Sequence, residues 1–221
     1  MAQKAPEGGH RLSVVVPAGK ARLEGFLGLP EAPRGVVVFA HGSGSGRFSP
    51  RNNFVALMLQ QAGLATLLVD LLEESESLEQ EKVFDIDLLS ERLSANNEWL
   101  HSRSETSGLS IGYFGASTGA AAALQAAAKK PINVASIVSR GGRPDLAMKS
   151  LPLVKAPTLL IVGGEDRLVI PLNEAAYERL DCVKRMVIVP GATHLFEEPG
   201  TLEKVGNLAC DWFVRHIVPQ A

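Results

Sequence analysis

The chain has 221 residues, of which 46% are apolar and 21% charged, with a formal net charge of −2. That length suits a single domain over residues 1–221 with its own core, and the ordinary apolar share excludes global disorder. Without a Lys/Arg run or a positive balance, neither nucleic acid nor an anionic membrane is expected as a partner, which leaves a small molecule. No segment approaches the length needed to span a bilayer, and MAQKAPEGGHRLSVVVPAGK has no apolar signal core. A cytoplasmic location is therefore expected, with residues 1–10 as a flexible tail. Cys182 and Cys210 have neither metal-ligand nor redox spacing and read as small buried thiols, so no metal and no cofactor is expected.

In chain order, Arg11 to Pro30 alternates β-rich runs with Pro17, Gly19 and Gly25. This predicts an antiparallel hairpin turning at Ala18 to Ala21. GVVVFA, Gly35 to Ala40, is a continuous apolar run of the kind a strand covered on both faces carries. NNFVALMLQQAGLA then reads as a helix capped by Asn52 or Asn53, stopped by Gly63, with Phe54, Leu57, Met58 and Gln61 on one face. The acidic EESESLEQE, Glu73 to Glu81, reads as a solvated connection or helix start.

Beyond it the alternation continues. Strands are predicted at ATLLVDLL, LSIGYFG, INVASIVSR, TLLIVGG and KRMVIVPG, and helices at FDIDLLSERLSANNEWLHS, AAAALQAAAKK, NEAAYERL and LEKVGNLACDWFVRHI. Such alternation predicts an α/β protein with an open, mostly parallel sheet and helices on both faces. The stretch GGRPDLAMKSLPLVKAP between two of the strands is too short for a cap domain.

Ligands of open α/β sheets bind beyond the carboxyl ends of the parallel strands, so the loops there are where chemistry is sought. Gly115-Ala116-Ser117-Thr118-Gly119 joins a strand directly to a helix, the setting of a nucleophile elbow in which Ser117 stands in a strained turn. A hydroxyl nucleophile needs a base, and the base needs a carboxylate to orient it. The order Ser, Asp, His selects Asp166 in VGGEDR and His194 in PGATHLF. Glu165 and Asp145 are the alternative acids, and His216 sits near a helix end where the helix C-terminus accounts for it. An oxyanion needs two aimed N–H groups. Thr118, next after the nucleophile, is the first, and Ser43 in the loop HGSGSG is the second, with Gly44 beside the substrate. A phosphate loop is the rival reading of HGSGSG, but Arg47 stands where a third glycine belongs and no Gly-Lys-Ser/Thr occurs. Arg140, which ends a strand before Gly141 and Gly142, is predicted to read an anionic group on the substrate, with Arg47 and Arg51 near the same pocket.

The HGSGSG loop, the GASTGA elbow, the GGEDR turn and the PGATHLF loop together resemble the dienelactone-hydrolase-like branch of the α/β-hydrolase superfamily, from about Arg11 to the end. The resemblance implies an eight-stranded, mostly parallel sheet and a cofactor-free hydrolase of esters or lactones. Dienelactone hydrolases proper carry a cysteine at the elbow where this chain has Ser117, so the implied chemistry is that of a serine esterase. The expected partner is a small ester, anionic if Arg140 reads it. A thioesterase or acyltransferase on the same fold, or a non-catalytic binding module, are the alternatives.

Overall fold

The computed structural model describes residues 9–130 and 133–217. Most of the predicted tail, and the first residue of INVASIVSR, lie outside them; His10, placed in the tail by the sequence reading, already belongs to the first strand. Strands β1 (His10–Ala18), β2 (Ala21–Leu29), β3 (Val36–Ala40), β4 (Ala65–Val69), β5 (Ile111–Ala116), β6 (Ser136–Arg140), β7 (Thr158–Gly163) and β8 (Lys184–Val189) form one sheet in the order β1-β2-β4-β3-β5-β6-β7-β8. β1 pairs antiparallel with β2 and β2 antiparallel with β4, while every later pairing is parallel.

The continuous apolar runs are explained by burial on both faces. β3 to β7 are buried throughout, whereas edge strand β8 is half-exposed. Alternate side chains enter separate cores. Val36, Val38, Tyr113, Ile137 and Leu160 face the helices α3 (Ile86–His101) and α4 (Thr118–Lys129). Val37, Phe39, Phe114, Val138 and Ile161 face α1 (Pro50–Gln61) and α6 (Thr201–Ile217). α2 (Gln80–Val83) and a short 3-10 turn, Glu76–Leu78, carry the acidic stretch, and α5 (Ile170–Arg179) follows β7. Residues 141–157 hold two 3-10 turns, Pro144–Ala147 and Leu151–Leu153, in place of a cap.

α1 departs from its predicted form. Its cap is Ser49, whose side chain accepts the Asn52 N–H, and Pro50 opens the helix, so it starts earlier than the apolar pattern suggested. The face against the sheet is Asn52, Val55, Ala56 and Leu59 rather than Phe54, Leu57, Met58 and Gln61. Smaller side chains let the helix approach the sheet, and Met58 turns sideways onto Gly206 of α6, where a Cβ would stand 2.2 Å from its sulfur.

Candidate active site

Ser117 lies between β5 and α4 at φ 51° and ψ −123°, one of two non-glycine residues with positive φ among those described. Such strain persists only where surrounding contacts impose it. Here the Ser117 N–H donates to the Arg140 carbonyl at 3.3 Å, and the Ser117 carbonyl accepts from Ala120 N at 3.1 Å and Arg143 N at 3.0 Å. The elbow is wedged against the end of β3, for a Cβ on Gly119 would stand 2.1 Å from the Ala40 carbonyl oxygen.

Asp166 lies in the turn after β7 and His194 in the loop after β8. Main-chain bonds fasten these loops together: Gly164 N to Val189 O at 2.8 Å and Glu165 N to Ala192 O at 2.9 Å. His194 Nδ1 meets Asp166 Oδ2 at 2.6 Å. The carboxylate can only accept, so Nδ1 carries the proton and Nε2 keeps its lone pair. The alternative acids are engaged elsewhere. Asp145 takes a two-pronged contact from Arg143 at 2.8 Å on both oxygens, and Glu165 pairs with Arg167 at 3.4 Å. Among the described residues no hydrogen bond joins Ser117 Oγ to His194; the Ser117 N–H bonds to the Arg140 carbonyl, and the next residue, Gly141, lies against His194. At φ 51°, Gly141 lies so close to the imidazole that a Cβ there would be 3.5 Å from Cε1 and Nδ1. The small size of Gly141 thus makes room for the imidazole of His194.

On the other side stands the loop after β3. His41 accepts the Leu71 N–H on Nε2 at 2.9 Å and approaches the Gly42 carbonyl through Nδ1 at 2.9 Å, which fixes the neutral tautomer with Nδ1 protonated. Burial pushes its pKa below the ordinary histidine value against opposing pulls from the Gly42 carbonyl and Asp70. Gly42 rests on Ser117: a Cβ there would lie 2.9 Å from Ser117 Cβ. The predicted donor Ser43 N–H is directed at Thr118 Oγ1, at 3.1 Å. Gly44, at φ 67°, sits over open space in the turn.

The three arginines separate. Arg47 is neutralised by Asp70 and Glu24, and its guanidinium lies 4.5 Å from the Phe48 ring centroid. Two carboxylates therefore already hold Arg47, which the sequence places near the same pocket as Arg140. Arg51 pairs with Glu197 at 3.0 Å. Arg140 is 7% exposed and points to the α1 side of the sheet, where it donates to Asn52 Oδ1 at 3.4 Å. No carboxylate among the described residues pairs with it. Burial, reinforced by Arg51, brings its pKa down to about 10, so it stays charged at neutral pH. A cavity of about 350 Å³ between the β1–β2 turn and α3 contains none of these residues.

Two supports escaped the sequence reading. Asn173 Nδ2 of α5 donates to Gly142 O at 3.0 Å and Val169 O at 2.9 Å, joining the turn after Arg140 to the segment that follows Asp166. Glu198 accepts Thr193 N–H at 3.1 Å and Thr193 Oγ1 at 2.6 Å, closing the loop that carries His194. His216 packs against Trp212 at 4.4 Å between ring centroids, with the rings tilted by 54°, in α6.

This sheet order, with an N-terminal antiparallel pair and helices on both faces, is the α/β-hydrolase fold. The profile of the dienelactone hydrolase family matches residues 23–213, and the chain belongs to that family. A crystal structure of a dienelactone hydrolase from Anabaena variabilis is 54% identical, with a TM-score of 0.92 over 95% of this chain and 99% of that one. Est1E from Butyrivibrio proteoclasticus, 14% identical, shares the fold with a TM-score of 0.81 over 94% of this chain and 99% of its own. A Mycobacterium tuberculosis H37Rv protein, provisionally named a phosphoribosyl transferase, is 57% identical over 92% of this chain. The match spans only 46% of that relative's length.

Proposed function

We propose that the chain is a serine hydrolase that cleaves small carboxylic esters or lactones through an acyl-enzyme. The observation that carries this reading is the 2.6 Å contact between His194 and Asp166 beside a serine held at positive φ. His194 Nε2 takes the proton of Ser117 Oγ as the oxygen attacks the carbonyl carbon. The tetrahedral oxyanion is met by the Thr118 N–H, and His194 returns the proton to the departing alkoxide. Water, deprotonated by the same nitrogen, then releases the acid and restores Ser117. A thioesterase or acyltransferase would share the first half of this sequence. The transferase name of the mycobacterial relative belongs to a protein more than twice as long as the matched region, and we assign that activity to the part of the relative outside the match.

With no cap, the mouth is expected to be open, and Leu168, two residues after Asp166, and Leu195, next to His194, are exposed at 86% and 39%. An open apolar rim suits short acyl groups over long chains. A buried guanidinium without a carboxylate further favours a substrate that carries an anionic group, since an uncompensated buried charge is costly. Labelling with a fluorophosphonate, followed by rates on short esters, thioesters, lactones and long-chain emulsions, tests the reading. Ser117 is expected to be labelled and short esters to turn over fastest; an unlabelled serine would overturn the proposal. Arg140→Ala is expected to raise KM for an anionic ester by roughly 1.5–3 kcal/mol, about 10- to 150-fold, and to spare a matched neutral ester. Equal losses on both would make Arg140 structural.

A further inference from the structure

Ser43 N–H, the amide that the loop after β3 offers to an oxyanion, is already bonded to Thr118 Oγ1 at 3.1 Å. Thr118 is 4% exposed and opens α4, so its own N–H is among the amides that a helix's first turn leaves without an intrahelical acceptor. A threonine hydroxyl that accepts one bond still has a proton to give, and no nitrogen or oxygen of the described residues accepts it. The hydroxyl is therefore fed by an amide on one side and free to donate on the other, beside a nucleophile on which Gly42, the residue before Ser43, directly rests.

We infer that Thr118 contributes two donors to the oxyanion, its main-chain N–H and its side-chain O–H, with Ser43 N–H acting through the hydroxyl rather than on the substrate oxygen. This rests on the serine-hydrolase reading above and assigns the second oxyanion contact to a side chain. An oxygen that accepts an N–H becomes a stronger donor, so the chain Ser43 N–H to Thr118 O–H to oxyanion strengthens as negative charge develops. No bond is made or broken at Thr118: the proton stays on Oγ1 and only its hydrogen bond is formed. The contact exists with the tetrahedral intermediate and not with a distant ground-state carbonyl, so its removal acts on kcat and leaves KM nearly alone.

The test replaces Thr118 by valine, its near-isostere without the hydroxyl, and by serine, which keeps it. Thr118→Val is expected to lower kcat on a short ester about 10²- to 10³-fold with KM changed less than about threefold, the range for loss of one oxyanion donor. Thr118→Ser is expected to remain within about tenfold of the parent. Affinity for an alkyl boronic acid, which forms a tetrahedral anionic adduct on Ser117, is expected to fall with kcat in Thr118→Val and to hold in Thr118→Ser. If valine lowers the melting temperature, Thr118→Ala set against Thr118→Ser carries the same comparison. A kcat in Thr118→Val equal to or above the parent overturns the inference, because the hydroxyl would then only mask Ser43 N–H. A loss that serine does not restore, or one that falls equally on KM, overturns it as well. Failure of Ser117 to react with a fluorophosphonate would instead overturn the underlying hydrolase reading.

Discussion

The loops that hold Asp166 and His194 are fastened to each other by the main chain, whereas the loop at residues 41–47 opposite them is fastened by side chains. On the first side, Gly164 N and Glu165 N reach the carbonyls of Val189 and Ala192, continuing the β7–β8 ladder past its end. On the second, His41 holds Leu71 N–H, Thr118 holds Ser43 N–H, and Asp70 holds Arg47 N–H at 2.5 Å. A geometry set by strand register survives most substitutions, because every residue but proline supplies the same amide and carbonyl. A geometry set by three side chains depends on their identities. Substitutions on the acid and histidine side should therefore change chemistry without moving the loop, and substitutions on the other side should move the loop.

The largest effect expected is that of Asp166→Asn. The main-chain ties persist, so melting temperature should barely change, while an amide at Oδ2 favours the wrong imidazole tautomer and should lower kcat by about 10⁴-fold. Glu165→Gln, adjacent but turned to Arg167, should leave kcat within about twofold, and steady-state kinetics of the two variants decide between the carboxylates. Next comes Gly42→Ala on the opposite side. Its Cβ would enter at 2.9 Å from Ser117 Cβ and 3.1 Å from the Ala116 carbonyl oxygen, so the loop or the serine must shift by several tenths of an ångström. Misplacement on that scale should lower kcat by about 10- to 100-fold in a protein that still folds. Unchanged turnover in Gly42→Ala would mean that the loop yields without consequence.

The same division explains what the sequence made legible. Strand-end positions are readable because apolar runs of strand length mark them, and Ser117, Asp166 and His194 each follow such a run. The helix start at Ser49-Pro50 was equally written in residue types but lay ahead of the apolar pattern used to place α1. The partner of a side chain in a loop is another matter. Glu24 and Asp70 close on Arg47 only because the sheet order sets β2 beside β4 and β4 beside β3. No local pattern distinguishes that arginine from Arg140, which ends on the α1 side facing an amide. For the same reason the engagement of Ser43 with Thr118 could not be read: it joins the loops after β3 and β5, and only their parallel pairing makes them neighbours.

A smaller effect should appear in the pH dependence of stability. His41 is held neutral between Leu71 N–H and the Gly42 carbonyl, and its pKa lies below the ordinary value near 6.5. Between the folded and unfolded values the unfolded chain binds more protons, so stability is complete above about pH 6.5 and declines as pH falls, by at most about 1.4 kcal/mol per unit. His41→Gln, which keeps a donor and an acceptor but does not titrate, should flatten that part of the curve. Melting temperatures of the two proteins between pH 7.5 and about 5 measure it, and parallel curves would assign the slope to other groups.

The smallest effect concerns Arg47, and it separates a charge that holds a loop from one that holds a substrate. Its guanidinium joins Asp70 and Glu24, whose side chains are 22% and 60% exposed, so solvent screens both pairs. Such contacts are worth about 0–1 kcal/mol each, and Arg47→Ala should therefore lower stability by no more than about 1–2 kcal/mol. The loop should keep its place, because the tie from Asp70 Oδ1 runs to the main-chain N–H of residue 47 and does not need the guanidinium. Asp70→Ala removes that acceptor together with the charge, and should affect kcat more than Arg47→Ala does. Neither change should discriminate between an anionic and a neutral ester, since Arg47 is already neutralised, whereas Arg140→Ala should. Measuring KM for the matched esters in all three variants tests the division, and a selective loss on the anionic ester in Arg47→Ala would return Arg47 to the substrate.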